Sequence, residues 1–223
     1  MTCEEFSNAF DVLLASYKYS PEFGNDFSSV DLTFDEYEKS VFLTKAQEEI
    51  LLTYYTGNTG NNTYEQTEEV RRYLSSLNKE ITIDNPTKDS FSGYDRLKFN
   101  LPEDVWFITY ESLKLNTGER LIVPINRDFL YKTLQNPFKF NINKCLRVDN
   151  EDSVYIIGKE IKDGSYFLNY LKTPSPIVLI DLENLSINGI KVKTECVLHE
   201  GLHNRILDRA VALAIASKTI IQK

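Results

Sequence analysis

The sequence predicts an α+β protein: an N-terminal helical bundle, an antiparallel β-rich middle and a buried C-terminal helix. Three observations carry this. Two capping-box patterns open helical repeats in the first third of the chain. Short apolar runs separated by turn residues fill the stretch from Val105 to Ile180. A last run from Leu202 to Thr219 is apolar at nearly every helical position.

Thr2 and Glu5 form the first capping box, after which Phe6, Phe10, Leu13, Leu14 and Tyr17 recur at helical spacing until Pro21 and Gly24. Thr33 with Glu36 reads as a second box, with Leu32 and Tyr37 as a hydrophobic staple. The helix it opens, from Phe34 to about Tyr55, carries Tyr37, Val41, Phe42, Ala46, Ile50, Leu51 and Tyr54. That breadth predicts packing against two partners. Gly57 to Asn62 is a loop tip, and a third helix places Val70, Tyr73, Leu74 and Leu77 inward. These helices make a helical region over 1–79. Residues 80–103 are polar and turn-rich and read as a linker or exposed loop.

An antiparallel β domain with a closing helix then spans 104–223. Val105–Tyr110 and Arg120–Val123 read as strands joined at Asn116–Glu119, and Arg127–Gln135 as a short helix stopped by Asn136-Pro137-Phe138. Val154–Ile157 and Tyr166–Tyr170 read as a hairpin turning near Asp163-Gly164. Ile177–Ile180 reads as a further strand, and Asn188-Gly189 as a tight turn.

Composition narrows the function. A chain of 223 residues with 42% hydrophobic and 12% aromatic content buries roughly 70% of its unfolded surface. It holds no apolar run of membrane-spanning length, and its start, Met1-Thr2-Cys3-Glu4-Glu5, is acidic where a secretory signal is basic. Cys3, Cys145 and Cys196 are too few and too far apart for a zinc ribbon or disulfide framework, which points to synthesis in a reducing cytoplasm. The net charge of −8 is uneven: residues 1–69 hold 14 acidic and 3 basic residues, the remainder 19 and 22. That distribution argues against a nucleic-acid grip; it fits solvated helix faces as well as it fits an acidic wall that repels DNA sliding past.

One motif competes for attention. His199-Glu200-Gly201-Leu202-His203 matches HExxH and contains both histidines of the chain. The competing reading is a small zinc-dependent hydrolase with His199 and His203 as ligands and Glu200 as general base. Against it, beyond His203 only Asp208 offers a third ligand, so that an upstream carboxylate would otherwise have to complete the site, and Arg209 stands where a metzincin continuation needs one. Gly201 also weakens the helix that has to hold both imidazoles rigid. The favoured reading is a helix entry flanked by histidines, with no catalytic, cofactor or metal residues assigned. Asp149, Glu151 and Asp152 form a small acidic cluster of the kind found in surface loops and, less often, around a cation. No dinucleotide fingerprint, P-loop or nucleophile elbow is present.

The segments Trp106–Glu111, Val123–Asn126 leading to Asn136-Pro137-Phe138, and Tyr170–Pro174 running into Ile177–Asp181 resemble virion structural proteins of crAss-like gut bacteriophages. Glu4-Glu5-Phe6, Asp35–Ser40 and Asn204–Val211 fit the same family. The resemblance covers most of the chain, although its motifs are packing patterns rather than chemistry. It implies a tail or head–tail connector ring protein of a short-tailed phage, assembled as a dodecamer beneath the portal. The implied partners are further copies of the chain, the portal and other tail ring or muzzle proteins, with DNA passing through without specific binding and no membrane contact. It implies a place in the virion, no cofactor and no enzyme activity. A generic acidic interaction domain would share the composition but not the resemblance.

Overall fold

The computed structural model describes residues 1–18, 33–57 and 68–220. They group into two compact units, Met1–Ser76 with Pro174–Lys223, and Leu77–Thr173. Among the described residues no helix is long and apolar enough to cross a membrane.

The first unit is helical. Helix α1 (Cys3–Lys18) begins at the expected box: the Thr2 N–H donates to Glu5 Oε2 at 2.8 Å and the Glu5 N–H to Thr2 Oγ1 at 3.2 Å. It buries Cys3, Phe6, Phe10 and Leu14. Helix α2 (Glu36–Thr56) starts two residues later than the sequence suggested. Asp35 and Glu38, not Thr33 and Glu36, exchange the capping bonds, at 2.7 and 3.1 Å. A carboxylate at the cap also faces the positive helix end, which a hydroxyl does not exploit. The Gly57 N–H closes the last helical bond to the Thr53 carbonyl at 2.9 Å, and its φ of 73° then turns the chain out of the helix. Leu32, Pro21, Gly24 and the loop tip after Gly57 lie outside the described residues.

Helix α3 (Glu68–Tyr73) buries Val70. Helix α5 (His203–Ile220) packs on α2 and α1, so the closing helix groups with the N-terminal helices. (The fourth helix, α4, Arg127–Leu134, lies in the second unit.) It buries Ile206, Ala210, Val211 and Ala214 but turns Asn204, Arg205, Asp208 and Arg209 outward, a broader polar face than its composition suggested.

The buried stripe of α2 departs from expectation. Val41 is exposed, whereas Ser40, Thr44 and Gln47 are buried. Their partner is the extended segment 175–179, which overlaps Ile177–Ile180, the stretch expected to be a strand. It makes only an isolated bridge, Val178 with Thr194. Its polar backbone is satisfied by α2 side chains instead. The Leu179 N–H donates to Ser40 Oγ at 3.0 Å, the Ile177 N–H to Thr44 Oγ1 at 3.1 Å, and Gln47 Nε2 to the Ser175 carbonyl at 2.9 Å. Spaced at i, i+4 and i+7, these three side chains substitute for a neighbouring strand. Thr44→Val keeps the volume and orphans the Ile177 amide. It should cost about 1–3 kcal/mol, read from the urea midpoint at unchanged slope.

The second unit is an eight-stranded sheet with one helix. Its strands are β1 (Asn78–Ile83), β2 (Thr87–Phe91), β3 (Tyr94–Asn100), β4 (Val105–Leu115), β5 (Gly118–Pro124), β6 (Lys144–Asn150), β7 (Ser153–Gly158) and β8 (Ser165–Lys172). They lie in the order β1-β8-β4-β5-β6-β7-β3-β2. Every pair is antiparallel except β5 with β6, so the sheet is mixed rather than purely antiparallel.

Residues 80–103, read as linker or loop, contribute three strands. Ile81, Ile83, Leu97 and Phe99 alternate into the core, but the polar, charge-rich stretch between Ile83 and Leu97 conceals the period. The β2–β3 turn is Ser92-Gly93, both at positive φ (51° and 81°), the geometry of a tight hairpin. The proposed hairpin of β7 with β8 does not form. β7 pairs with β6 and β3, and β8 with β4 and β1, although Asp163 and Gly164 do sit in their connection.

The sheet curls around a core of residues such as Leu113, Cys145, Ile156 and Leu168, and Phe99 on β3 meets Tyr166 on the non-adjacent β8 with ring centroids 5.3 Å apart. On the opposite face, helix α4 (Arg127–Leu134) lays Leu130 and Leu134 over Phe140, Leu146 and Ile157.

Candidate functional site

His199 and His203 do not form a metal-binding pair on one helix. His199 precedes a 3₁₀ turn, Glu200–Leu202, and His203 is the first residue of α5. His199 Nδ1 accepts the Gly201 N–H at 3.1 Å, and its ring lies 5.2 Å from that of Tyr73. A Cβ on Gly201 would come within 2.9 Å of the Tyr73 ring, so the glycine is there for close approach.

His203 is buried, and both of its ring nitrogens are engaged. Nε2 is 3.0 Å from the Leu198 carbonyl and Nδ1 is 2.7 Å from the Met1 amino group. Because a carbonyl only accepts, the proton sits on Nε2 and Nδ1 accepts. A zinc ligand needs one of these lone pairs free, so the donors do not fit that metal. Among the described residues no group of three or more His, Cys, Asp or Glu is placed to hold an ion. In the acidic cluster, Asp149 is 2.9 Å from Arg147 Nε.

Burial holds the His203 imidazole below its usual range. A base depressed in the folded state contributes stability above its ordinary value and loses it as pH falls through the folded one. The melting temperature should therefore fall as pH drops below about 6.5. His203→Phe, which keeps a ring beside Phe6, should flatten that acid-side decline, measured by melts at pH 7.5 and 5.5.

The other reactive groups are equally quiet. Burial pushes the Cys145 thiol up to about 11, and also raises Cys3 and Cys196, so none is a ready thiolate. In the second unit Glu111, 7% exposed, accepts from Arg147 Nη1 at 2.9 Å and from the Tyr166 hydroxyl at 2.6 Å. Burial pushes the Glu111 carboxyl up, with Arg147 opposing, and burial likewise raises the Tyr166 phenol. This group ties β4, β6 and β8 together.

An open surface lies beside α4. A groove of about 610 Å³ runs between α4 and the ends of β5 and β6. Val123, Ile125 and Leu146 line it along with Phe129 and Phe138, which are 59% and 88% exposed. Lys132, Lys139 and Lys144 complete the lining, and no acidic residue contributes. Two largely exposed phenylalanines beside three cations describe a contact surface better than a catalytic pocket.

Comparison with known proteins fits this picture. The family model for phage tail ring protein 3/4 matches residues 1–223. The chain belongs to that family. It is 40% identical to "Ring protein 3" of Bacteroides phage crAss001, over 98% of this chain and 97% of that protein. It is 30% identical to "Ring protein 4/5" of the same phage, over 97% and 93%. The resemblance to crAss-like virion proteins read from the sequence is thus shown, and the ring-protein chain has a structural role in the phage tail.

Sequence reasoning located the HExxH match but not the groove. The available signal was Asn136-Pro137-Phe138, read only as a helix stop. An aromatic placed directly after such a stop, with lysines on both sides, is also how a chain displays an exposed anchor.

Proposed function

We propose that this ring-family chain is a non-enzymatic head–tail connector component of the virion. Twelve copies form a closed ring that joins the portal to the distal tail and surrounds the channel for DNA and ejected proteins. The near-full-length match to tail ring proteins carries the reading. The groove supports it, because a ring subunit needs large lateral contacts, often above ~2,000 Å² in obligate assemblies. The acidic balance suits a channel that DNA crosses without being held.

Quantitative mass spectrometry of purified virions tests the placement. The chain should be present at a copy number equal to, or a small multiple of, that of the portal, and should remain with tail fragments after heads are disrupted. Absence from particles, or loss with the capsid shell, would contradict it.

A further inference from the structure

We infer that the groove beside α4 receives the segment Ile180–Leu185 of a neighbouring copy of the same chain. The inference rests on the ring reading above and names the surface that makes the ring. Two features of that segment match the groove.

The first is apolar. Ile180 and Leu185 are 45% and 50% exposed, although Leu182 between them is buried in a small cluster with Val178 and Ile187. Leu182 anchors the segment and leaves two aliphatic side chains facing outward, a pair suited to covering Phe129 and Phe138. A groove of about 610 Å³ has room for both.

The second feature is charge. The segment reads Ile-Asp-Leu-Glu-Asn-Leu, with no basic residue, and the groove presents Lys132, Lys139 and Lys144 with no acidic residue. Asp181 Oδ1 already accepts the Lys193 N–H at 2.6 Å, so Glu183, which is exposed, is the acid left to meet a lysine. The bias extends to whole units. The helical unit holds nineteen acidic and eleven basic residues and the sheet unit fourteen of each, so the first carries the entire net charge of −8. Opposite potentials on the two patches steer copies together and fix their register.

The groove and the segment are different patches of one chain, so in a ring each copy offers its groove to one neighbour and its segment to the next, a heterologous contact. Repeated at a closing angle, such a contact generates a ring, and at any other angle a filament. Phe138, the most exposed apolar side chain of the patch, is the expected anchor.

The test is a charge and anchor series on purified full-length protein, read as the concentration for half-assembly by mass photometry. Phe138→Asp and Leu185→Asp should each raise that concentration at least ~10-fold, as loss of an interface anchor does, while circular dichroism melts stay near wild type because both side chains are exposed. Lys139→Glu and Glu183→Lys should each weaken assembly, and the double variant should recover it. Undiminished assembly of Phe138→Asp or Leu185→Asp, or failure of the double variant to recover, overturns the groove contact while leaving the ring itself standing. A wild-type chain that stays monomeric to its solubility limit overturns both. Duplex DNA binding lost in Lys132→Glu with Lys139→Glu would overturn the assignment in favour of a nucleic-acid contact.

Discussion

Glu111→Leu should destabilise the protein by about 3–5 kcal/mol, the range for removing one partner of a buried ion pair. The Arg147 side chain is only 11% exposed, and Glu111 supplies its buried counter-charge. Its remaining partner, Asp149, is 68% exposed and sits at the edge of the network. The variant also strips the acceptor from the Tyr166 hydroxyl, which lies on a fully buried ring. The cost comes from the orphaned groups, not from the intrinsic strength of the pair, and this distinction is measurable. Replacing both charges, as Glu111→Leu with Arg147→Met, should regain most of the loss, since a well-packed apolar pair often equals a buried ionic one. Equilibrium urea unfolding of both variants checks the sign and the recovery. A double variant no better than the single one would mean that packing, not charge, dominates at this position.

Phe140→Ala should cost about 3–5 kcal/mol as well, the usual price of emptying a fully buried aromatic position. Phe140 is 0% exposed and lies in the cluster beneath Leu130 and Leu134 of α4, with the Tyr94 ring edge-on at 5.0 Å. It therefore supports the helix that walls the groove. A cavity there should loosen α4 and displace Phe129 and Lys132, which the helix carries into the groove. Ring assembly should fall along with stability even though no exposed residue has changed. Thermal melts and mass photometry on the same sample check both effects. Lost stability with intact assembly would separate the groove from its support.

Where the fold could be read from the sequence, one local rule and the packing agreed. The Thr2–Glu5 box, α4 ending before Asn136-Pro137, α5 and the Asn188-Gly189 turn all follow from capping and turn chemistry. The readings that failed involve partners distant in sequence. Asp163-Gly164 looks like a hairpin turn, but which strands flank β7 and β8 is decided by β3, β4 and β6. Ser40, Thr44 and Gln47 look like a solvated face until Ser175–Leu179 arrives from more than a hundred residues away to use them. β2 is a largely exposed edge strand, so its composition resembles that of a loop. The histidine motif was legible as a helix entry, yet the partners of His203 required coordinates. The groove was invisible for a similar reason: Phe138 signals an interface only once its exposure is known.

The most direct test of the central claim is imaging of the purified protein and of disrupted virions by negative-stain microscopy, paired with native mass determination. The account predicts closed rings of uniform diameter, with a mass of twelve chains and a counterpart in the particle tail. Open filaments, a chain that remains monomeric to its solubility limit, or a particle with no matching ring would contradict it.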